Sequence, residues 1–211
     1  MVAMKKTDKH KTIMVFAPHP DDELIGCGGS LAKHASKEKR IIVVYMTSGE
    51  ASKTFTNKKE LARTRETESA KGAKVLGFVS TVYLREPDGS LKVNEKIVNN
   101  VLDIINKEKP NIIYLPYKNG HKDHKTTNKI VLGALSRYNK KVKVLAYEVF
   151  IPIQSFTHVE DITEFMTKKI EAIRQHKSQR FTIPDQRTRL LARFRGLTTG
   201  RGDYCEVFNI K

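Results

Sequence analysis

A histidine and three consecutive acids stand where an apolar run, Thr12-Ile13-Met14-Val15, should leave the protein interior, in the stretch Phe16-Ala17-Pro18-His19-Pro20-Asp21-Asp22-Glu23. Unpaired carboxylates are costly to desolvate and repel one another, so a core has no use for such a cluster. A divalent cation removes both objections. Imidazole and carboxylate are both zinc ligands, and a further acid beside them can handle protons. About a hundred residues later comes Gly120-His121-Lys122-Asp123-His124, just past a second apolar run, Ile112-Ile113-Tyr114-Leu115. Two strand ends, each followed by His and Asp, suggest one metal site assembled from both.

The elements that must position these residues alternate regularly. Short β-branched apolar runs occur at 12–17, 41–46, 81–84, 112–115 and 142–149. Helix-like stretches lie between them at about 27–38, 58–76, 94–108 and 124–137, with another at 162–177. Val98, Leu102 and Ile105, for example, fall on one helical face. Strands buried on both sides and alternating with helices imply an α/β protein, a Rossmann-like three-layer α/β/α arrangement with a mostly parallel sheet. For a strand order 3-2-1-4-5, the order reverses between the first and fourth strands, where ligands of open α/β sheets bind. His19, Asp21 and Asp22 leave the first of these strands; His121, Asp123 and His124 leave the fourth. The chain beyond residue 180, with Pro184 and several glycines, reads as an irregular segment ending in a strand near Tyr204 to Ile210. Residues 1–211 read as a single domain, without repeat or linker.

A dinucleotide site is the obvious rival, because glycines follow the first strand. Gly26-x-Gly28 fits its start, but position 31 is Leu, and the second strand ends in Met46-Thr47-Ser48 with no acid for a ribose. The acids beside the loop would also repel a pyrophosphate.

At 211 residues and 39% hydrophobic, the chain can bury one sizeable core. No apolar run approaches a membrane span, and Met1 to Lys11 lacks a signal-peptide core. Cys27 and Cys205 suggest no disulfide framework. A reduced, cytoplasmic protein is the simplest expectation. The net charge of +16 favours anionic partners. Much of it falls between Lys168 and Arg201, where ten Lys or Arg residues face only Glu171 and Asp185. A solvated basic face is the plain explanation. The stretch Arg187 to Arg195 mixes apolar and basic residues as a surface-lying helix or substrate rim would.

The Ala17 to Glu23 stretch and Gly120-His-Lys-Asp-His124 together resemble the PIG-L/LmbE-like family of zinc-dependent N-acetylglucosaminyl deacetylases. Agreement extends to Arg65-x-x-Glu68 before Leu76-Gly77, to Pro87-Asp88-Gly89, to Asp161-Ile162-Thr163 running to Lys169 and Ser178-Gln179, and to the ending Tyr204 to Phe208. Cys205 departs from the small residue usual there. The resemblance implies His19, Asp22 and His124 as metal ligands, leaving one position open for water. It implies Asp21 as general base, His121 as the stabiliser of the tetrahedral oxyanion, best as imidazolium, and Asp123 as the carboxylate that keeps His121 oriented and charged. Arg65, and less directly Asp88, would contact substrate. The implied reaction is removal of acetyl from an N-acetylamino sugar or its conjugate by zinc-activated water. The implied cofactor is Zn2+, although Fe2+ or another divalent ion suits the same donors.

Each residue also has a plainer explanation. His19 and Asp22 could cap a helix, though capping explains one acid rather than three plus a histidine. Asp123 could be the N-cap of the fourth helix, Arg65 and Glu68 a surface ion pair, and Asp88 an ordinary turn residue. His158 and His176, lacking motif partners, are expected at the surface, and Tyr117 near the site mouth. Three rival functions stand beside the deacetylase. Another metal-dependent amide hydrolase would share the whole site. A non-haem iron oxygenase uses two His and one carboxylate but needs no adjacent base. A non-enzymatic nucleic-acid binder would exploit the charge, but no matching motif is present. The expected partner is a small N-acetylated sugar or glycoconjugate, anionic and lipid-linked forms included. Peripheral membrane contact and a homo-oligomer are both compatible with the sequence.

Overall fold

The computed structural model describes residues 11–51, 55–77, 80–118, 120–149, 151–179 and 185–211. Pro184 and nearly all of the N-terminal stretch read for a signal peptide lie outside the described residues. The five expected strands are present as β1 (Thr12–Ala17), β2 (Arg40–Thr47), β3 (Ser80–Glu86), β4 (Ile112–Pro116) and β5 (Lys143–Tyr147). They pair in parallel in the order β3-β2-β1-β4-β5. Every residue of β1 is buried, because successive side chains of a strand point to opposite faces and both faces are covered.

Those faces make two cores. Ile13 and Val15 of β1 pack with Leu24 and Leu31 of α1 (Asp22–Ser36), Leu76 of α2 (Lys58–Leu76) and Ile170 of α5 (Met166–Ile173). Met14 and Phe16 face the other way, onto Val101 and Ile105 of α3 (Glu95–Glu108) and Ile130 and Val131 of α4 (Lys122–Leu135). Asn57 and Asn94 cap α2 and α3 by accepting from the backbone N–H groups of Glu60 and Ile97. Gly77 ends α2 at φ +94°, a conformation that favours glycine.

The C-terminal part differs from the sequence expectation. Asp185–Thr199, within the segment read as irregular although Arg187 to Arg195 also suited a surface-lying helix, is a 15-residue helix, α6. Its inward face is Thr188, Ala192, Arg195 and Gly196, while Leu190, Phe194 and Leu197 point outward. The apolar periodicity that marks an ordinary buried face is therefore inverted, which concealed the helix. After it, β7 (Cys205–Ile210) inserts antiparallel between β5 and a short strand, β6 (His158–Asp161), absent from the sequence reading. Among the described residues, no helix is long and apolar enough to cross a membrane.

Two buried ion pairs anchor this region. Helix α1 kinks at Cys27, at φ −144°, which frees backbone N–H groups within its span. The carboxylate of Glu206, on β7, accepts from the backbone N–H groups of Gly29 and Ser30, each at 2.8 Å, and from Ser30 Oγ at 2.6 Å. Lys169 Nζ donates to the same carboxylate at 2.7 Å and to Ile25 O at 2.8 Å. Arg195 of α6 likewise donates twice to Glu148 just beyond β5, and once to Ile153 O. Removing one partner of such a pair strands the other charge away from water, at a cost of about 3–5 kcal/mol. Glu206→Ala should lose about that much stability in urea unfolding; a loss near zero would show that the pair does not hold α1.

Candidate active site

The carboxyl ends of β1 and β4 are neighbours at the point where the strand order reverses, so the two His/Asp motifs meet there. The β1 end is fixed first. Thr47, the last residue of β2, donates to Pro18 O through its backbone N–H at 3.0 Å and its Oγ1 at 2.8 Å. Asp21 then takes φ 142° and ψ −27°, a strained conformation for a residue with a side chain. Its carbonyl accepts from the N–H groups of Leu24 and Ile25 and so starts α1, while its carboxylate makes no cap. Asp22 is the first residue of α1. The two adjacent acids diverge because a strained residue meets a helix start.

His19, Asp22 and His124 converge. Asp22 Oδ2 lies 3.0 Å from His19 Nδ1 and 3.2 Å from His124 Nε2, and one ligating atom from each residue lies within 4.8 Å of the others. Donors bonded to one tetrahedral zinc at 2.0–2.2 Å stand roughly 3.3–3.5 Å apart, close to this spacing. The far nitrogen of His19, Nε2, faces Asp88 Oδ1 at 3.0 Å and Asp123 Oδ2 at 3.4 Å, the carboxylate support typical of a metal-bound histidine. Among the described residues, Asp123 Oδ1 is buried without a partner. The donor set and this orphaned acceptor fit a divalent cation.

Burial alone would raise the Asp22 carboxyl, but His124 and His19 outweigh it and hold the group well below the usual carboxylate range. Asp21 behaves oppositely. Burial pushes it up to about 7, against the pull of Arg65 and with a further push from Asp22. Burial works to lower His19, yet Asp123, Asp22 and Asp88 together raise it well above its ordinary value. One carboxylate thus stays charged beside another poised to exchange a proton, the division of labour that acid–base catalysis needs.

The other sequence candidates find specific places. Arg65 is 4% exposed and aims inward. It donates to Asp21 Oδ2 and Gly49 O at 2.8 Å and to Pro20 O at 2.9 Å. Glu68 is no surface partner of Arg65; it accepts from Ser178 N and Oγ at 2.8 and 2.6 Å. Asp88 does more than turn the chain, accepting from Ala51 N while its other oxygen meets His19. Its neighbour Gly89 donates to Asp123 Oδ2 at 2.7 Å. His121 is the exposed member of the group and caps α4, with Nδ1 accepting from Asp123 N at 3.2 Å. The Asp123 carboxylate stands 4.0 Å from His121 but closer to His19, so the backbone, rather than that carboxylate, orients His121. Burial and the nearby His19 lower His121 below its ordinary value.

Two partners escaped the sequence reading. Glu23, fully buried, accepts from Tyr45 Oη at 2.6 Å and from Asp21 N at 3.2 Å. A tyrosine in a buried strand requires a hydroxyl partner, and that signal could have found it. His176, expected at the surface, is only 2% exposed, and neither ring nitrogen has a partner. His158 is half-buried, with Nε2 3.4 Å from Glu160. A separate cavity of about 240 Å³ lies between α1, α6 and β7, bordered by Ile25, Glu148, Leu191 and Val207. It includes none of the His/Asp cluster.

Two histidines and a carboxylate gathered at the switch point of an α/β sheet form a group that could hold a metal ion. The chain belongs to the GlcNAc-PI de-N-acetylase (PIG-L) family, whose sequence model matches residues 14–135. It is 28% identical to the diacetylchitobiose deacetylase of Thermococcus kodakarensis over 189 residues, covering 80% of this chain and 70% of that one. It is 26% identical to a probable N-acetyl-alpha-D-glucosaminyl L-malate deacetylase 2 of Bacillus subtilis, over 79% of this chain and 82% of the other. The solved N,N'-diacetylchitobiose deacetylase of Pyrococcus horikoshii superposes with a TM-score of 0.82 at 27% identity, over 95% of this chain and 84% of that one.

Burial, and then the Arg65 guanidinium, push His176 down to about 3 from 6.5. A depressed folded-state value means that the unfolded chain takes up the proton first. This contribution to stability is complete above pH 6.5 and is lost as the pH falls toward 3, by about 1.4 kcal/mol per unit. His176→Leu should therefore flatten the decline in unfolding free energy between pH 6.5 and 4.5. Parallel profiles for variant and wild type would rule out this source of acid sensitivity.

Proposed function

We propose that this chain is a divalent-metal-dependent N-deacetylase that removes the acetyl group from an N-acetylamino sugar of GlcNAc type, or from its conjugate. The observation that carries the reading is the convergence of His19 Nδ1, Asp22 Oδ2 and His124 Nε2 beside an Asp21 poised near neutrality. We assign these three as the ligands, with Zn2+ the best match to the donors and Fe2+ an acceptable one. A divalent ion held there supplies a Lewis acid that polarises the acetyl carbonyl and makes water acidic enough to be deprotonated near pH 7.

The chain's own groups do the rest. Asp21 accepts the proton of the attacking water. As the water oxygen bonds to the acetyl carbon and the C–N bond breaks, Asp21 returns that proton to the leaving amine, giving acetate and the free amino sugar. Arg65 holds the Asp21 carboxylate in place, and Glu23 holds its backbone N–H. The hydrogen bond to Asp21 supports a role for Arg65 in holding the base. Asp88 and Asp123 keep His19 oriented through Nε2. His121, exposed beside the cluster, donates to the oxyanion that develops on the acetyl oxygen. Relatives named as deacetylases of diacetylchitobiose and of N-acetylglucosaminyl malate support the substrate class.

Acetate release, measured by mass spectrometry across GlcNAc, diacetylchitobiose and thiol- or inositol-linked GlcNAc, tests the reading directly. Release from none of them, but from another class of amide, would move the chain to a different amide hydrolase. His19→Ala and His124→Ala should each lose most of one bound divalent ion per chain; unchanged elemental analysis in both would refute the ligand assignment. Asp21→Asn is nearly isosteric and should keep the metal while kcat falls by about 10²–10⁴-fold. His121→Ala should also keep the metal and lower kcat. Near-wild-type turnover in Asp21→Asn would place the base elsewhere.

A further inference from the structure

The outward face of α6 carries three large apolar side chains on one stripe. Leu190, Phe194 and Leu197, at spacings of four and three, are 69%, 51% and 69% exposed and share one side of the helix. The helix cannot roll to hide them. Its inner face is tied down by the Arg195 hydrogen bonds to Glu148. Gly196 packs so tightly that an added Cβ would come within 2.4 Å of Gly202 O. Exposing this stripe is therefore a fixed property of the fold.

The charge around the stripe is mostly positive. Arg187 lies one turn before it and Arg201 just past the helix end, both exposed, with Arg189 and Arg193 on the flank beside the Tyr204 ring, Arg193 also paired with Asp203. The one acid of α6, Asp185, is bound to Arg174. We propose that α6 docks this chain onto an anionic lipid bilayer, with Leu190, Phe194 and Leu197 entering the headgroup–acyl boundary and the arginines meeting lipid phosphates. Apolar residues bordered by Arg, lying flat on an exposed face, have the composition of an interfacial helix. Charge selects this occupant. A second copy packed stripe to stripe would bring the same arginines together on two chains of net charge +16. Nucleic acid would use the arginines but gain nothing from Leu190 and Leu197. Glu148, which anchors α6, lies just beyond β5, at the sheet edge from which the His/Asp cluster also projects. The inference does not rest on the deacetylase reading, and its readout does not involve catalysis.

The test is co-sedimentation of the full chain with phosphatidylcholine vesicles, with and without one quarter phosphatidylglycerol. Binding is expected to the anionic vesicles only and to weaken as NaCl rises from about 0.05 to 0.5 M, where screening shortens. Leu190→Gln/Phe194→Gln/Leu197→Gln, all at exposed positions, should bind at least about tenfold more weakly with an unchanged melting temperature. Arg189→Gln/Arg201→Gln should weaken binding by about fivefold per charge removed, and it carries the test alone if the triple variant unfolds. No binding to anionic vesicles, equal binding to neutral ones, or wild-type binding by folded variants would each overturn the proposal. So would a dimer in solution that the triple variant abolishes while vesicles bind neither protein, which would give the stripe to a second copy.

Discussion

Three carboxylates, those of Asp22, Asp88 and Asp123, meet the single ring of His19, and the rest of the structure is arranged around this concentration of buried negative charge. Like charges in a low-dielectric interior cannot all stay ionised without cations among them. Arg65 supplies part of that neutralisation at Asp21, and the donor spacing suits a divalent ion for the remainder. The cluster sits at the sheet's switch point because nowhere else do the carboxyl ends of two adjacent strands open away from each other to leave room for ligands.

The supports radiate outward in a definite order. Asp21 is held in strain by α1 through its carbonyl, by Glu23 through its N–H and by Arg65 through its side chain. Arg65 projects from α2, and one turn along that helix Glu68 ties it to Ser178. Helix α1, which begins with Asp22, is gripped by Lys169 at Ile25 before its kink and by Glu206 at Gly29 and Ser30 past it. The C-terminal third of the chain thus contributes no member of the His/Asp cluster and yet fixes the helix that begins with Asp22.

The same region explains how an enzyme scaffold can also carry a surface device. Helix α6 spends its inner face on Arg195, Thr188 and two small residues, so its affinity for the body comes from a buried ion pair and close backbone approach. Its large apolar side chains remain outside, where they are available to a partner. A helix held by an ordinary apolar face would have had no such residues to spare.

The sequence by itself determined the parallel sheet, the strand order through β5 and the two motifs that had to meet. Period-two and helical patterning are local signals, and so is a His/Asp cluster at a strand end. Only the tertiary structure decided what each charged residue faces. Arg65 and Glu68, three apart on one helix, could by spacing have paired with each other, but one reaches Asp21 and the other Ser178. Asp123 and His121, two apart, read as partners, but Gly89 and His19 claim the carboxylate. His176 read as exposed because nothing near it in sequence reveals that α2 covers it at Gly72. Helix α6 read as irregular because its inner face is polar. Each of these outcomes depends on contacts between residues far apart in the chain, and electrostatic and hydrogen-bond pairing over such separations leaves no periodic trace in the sequence.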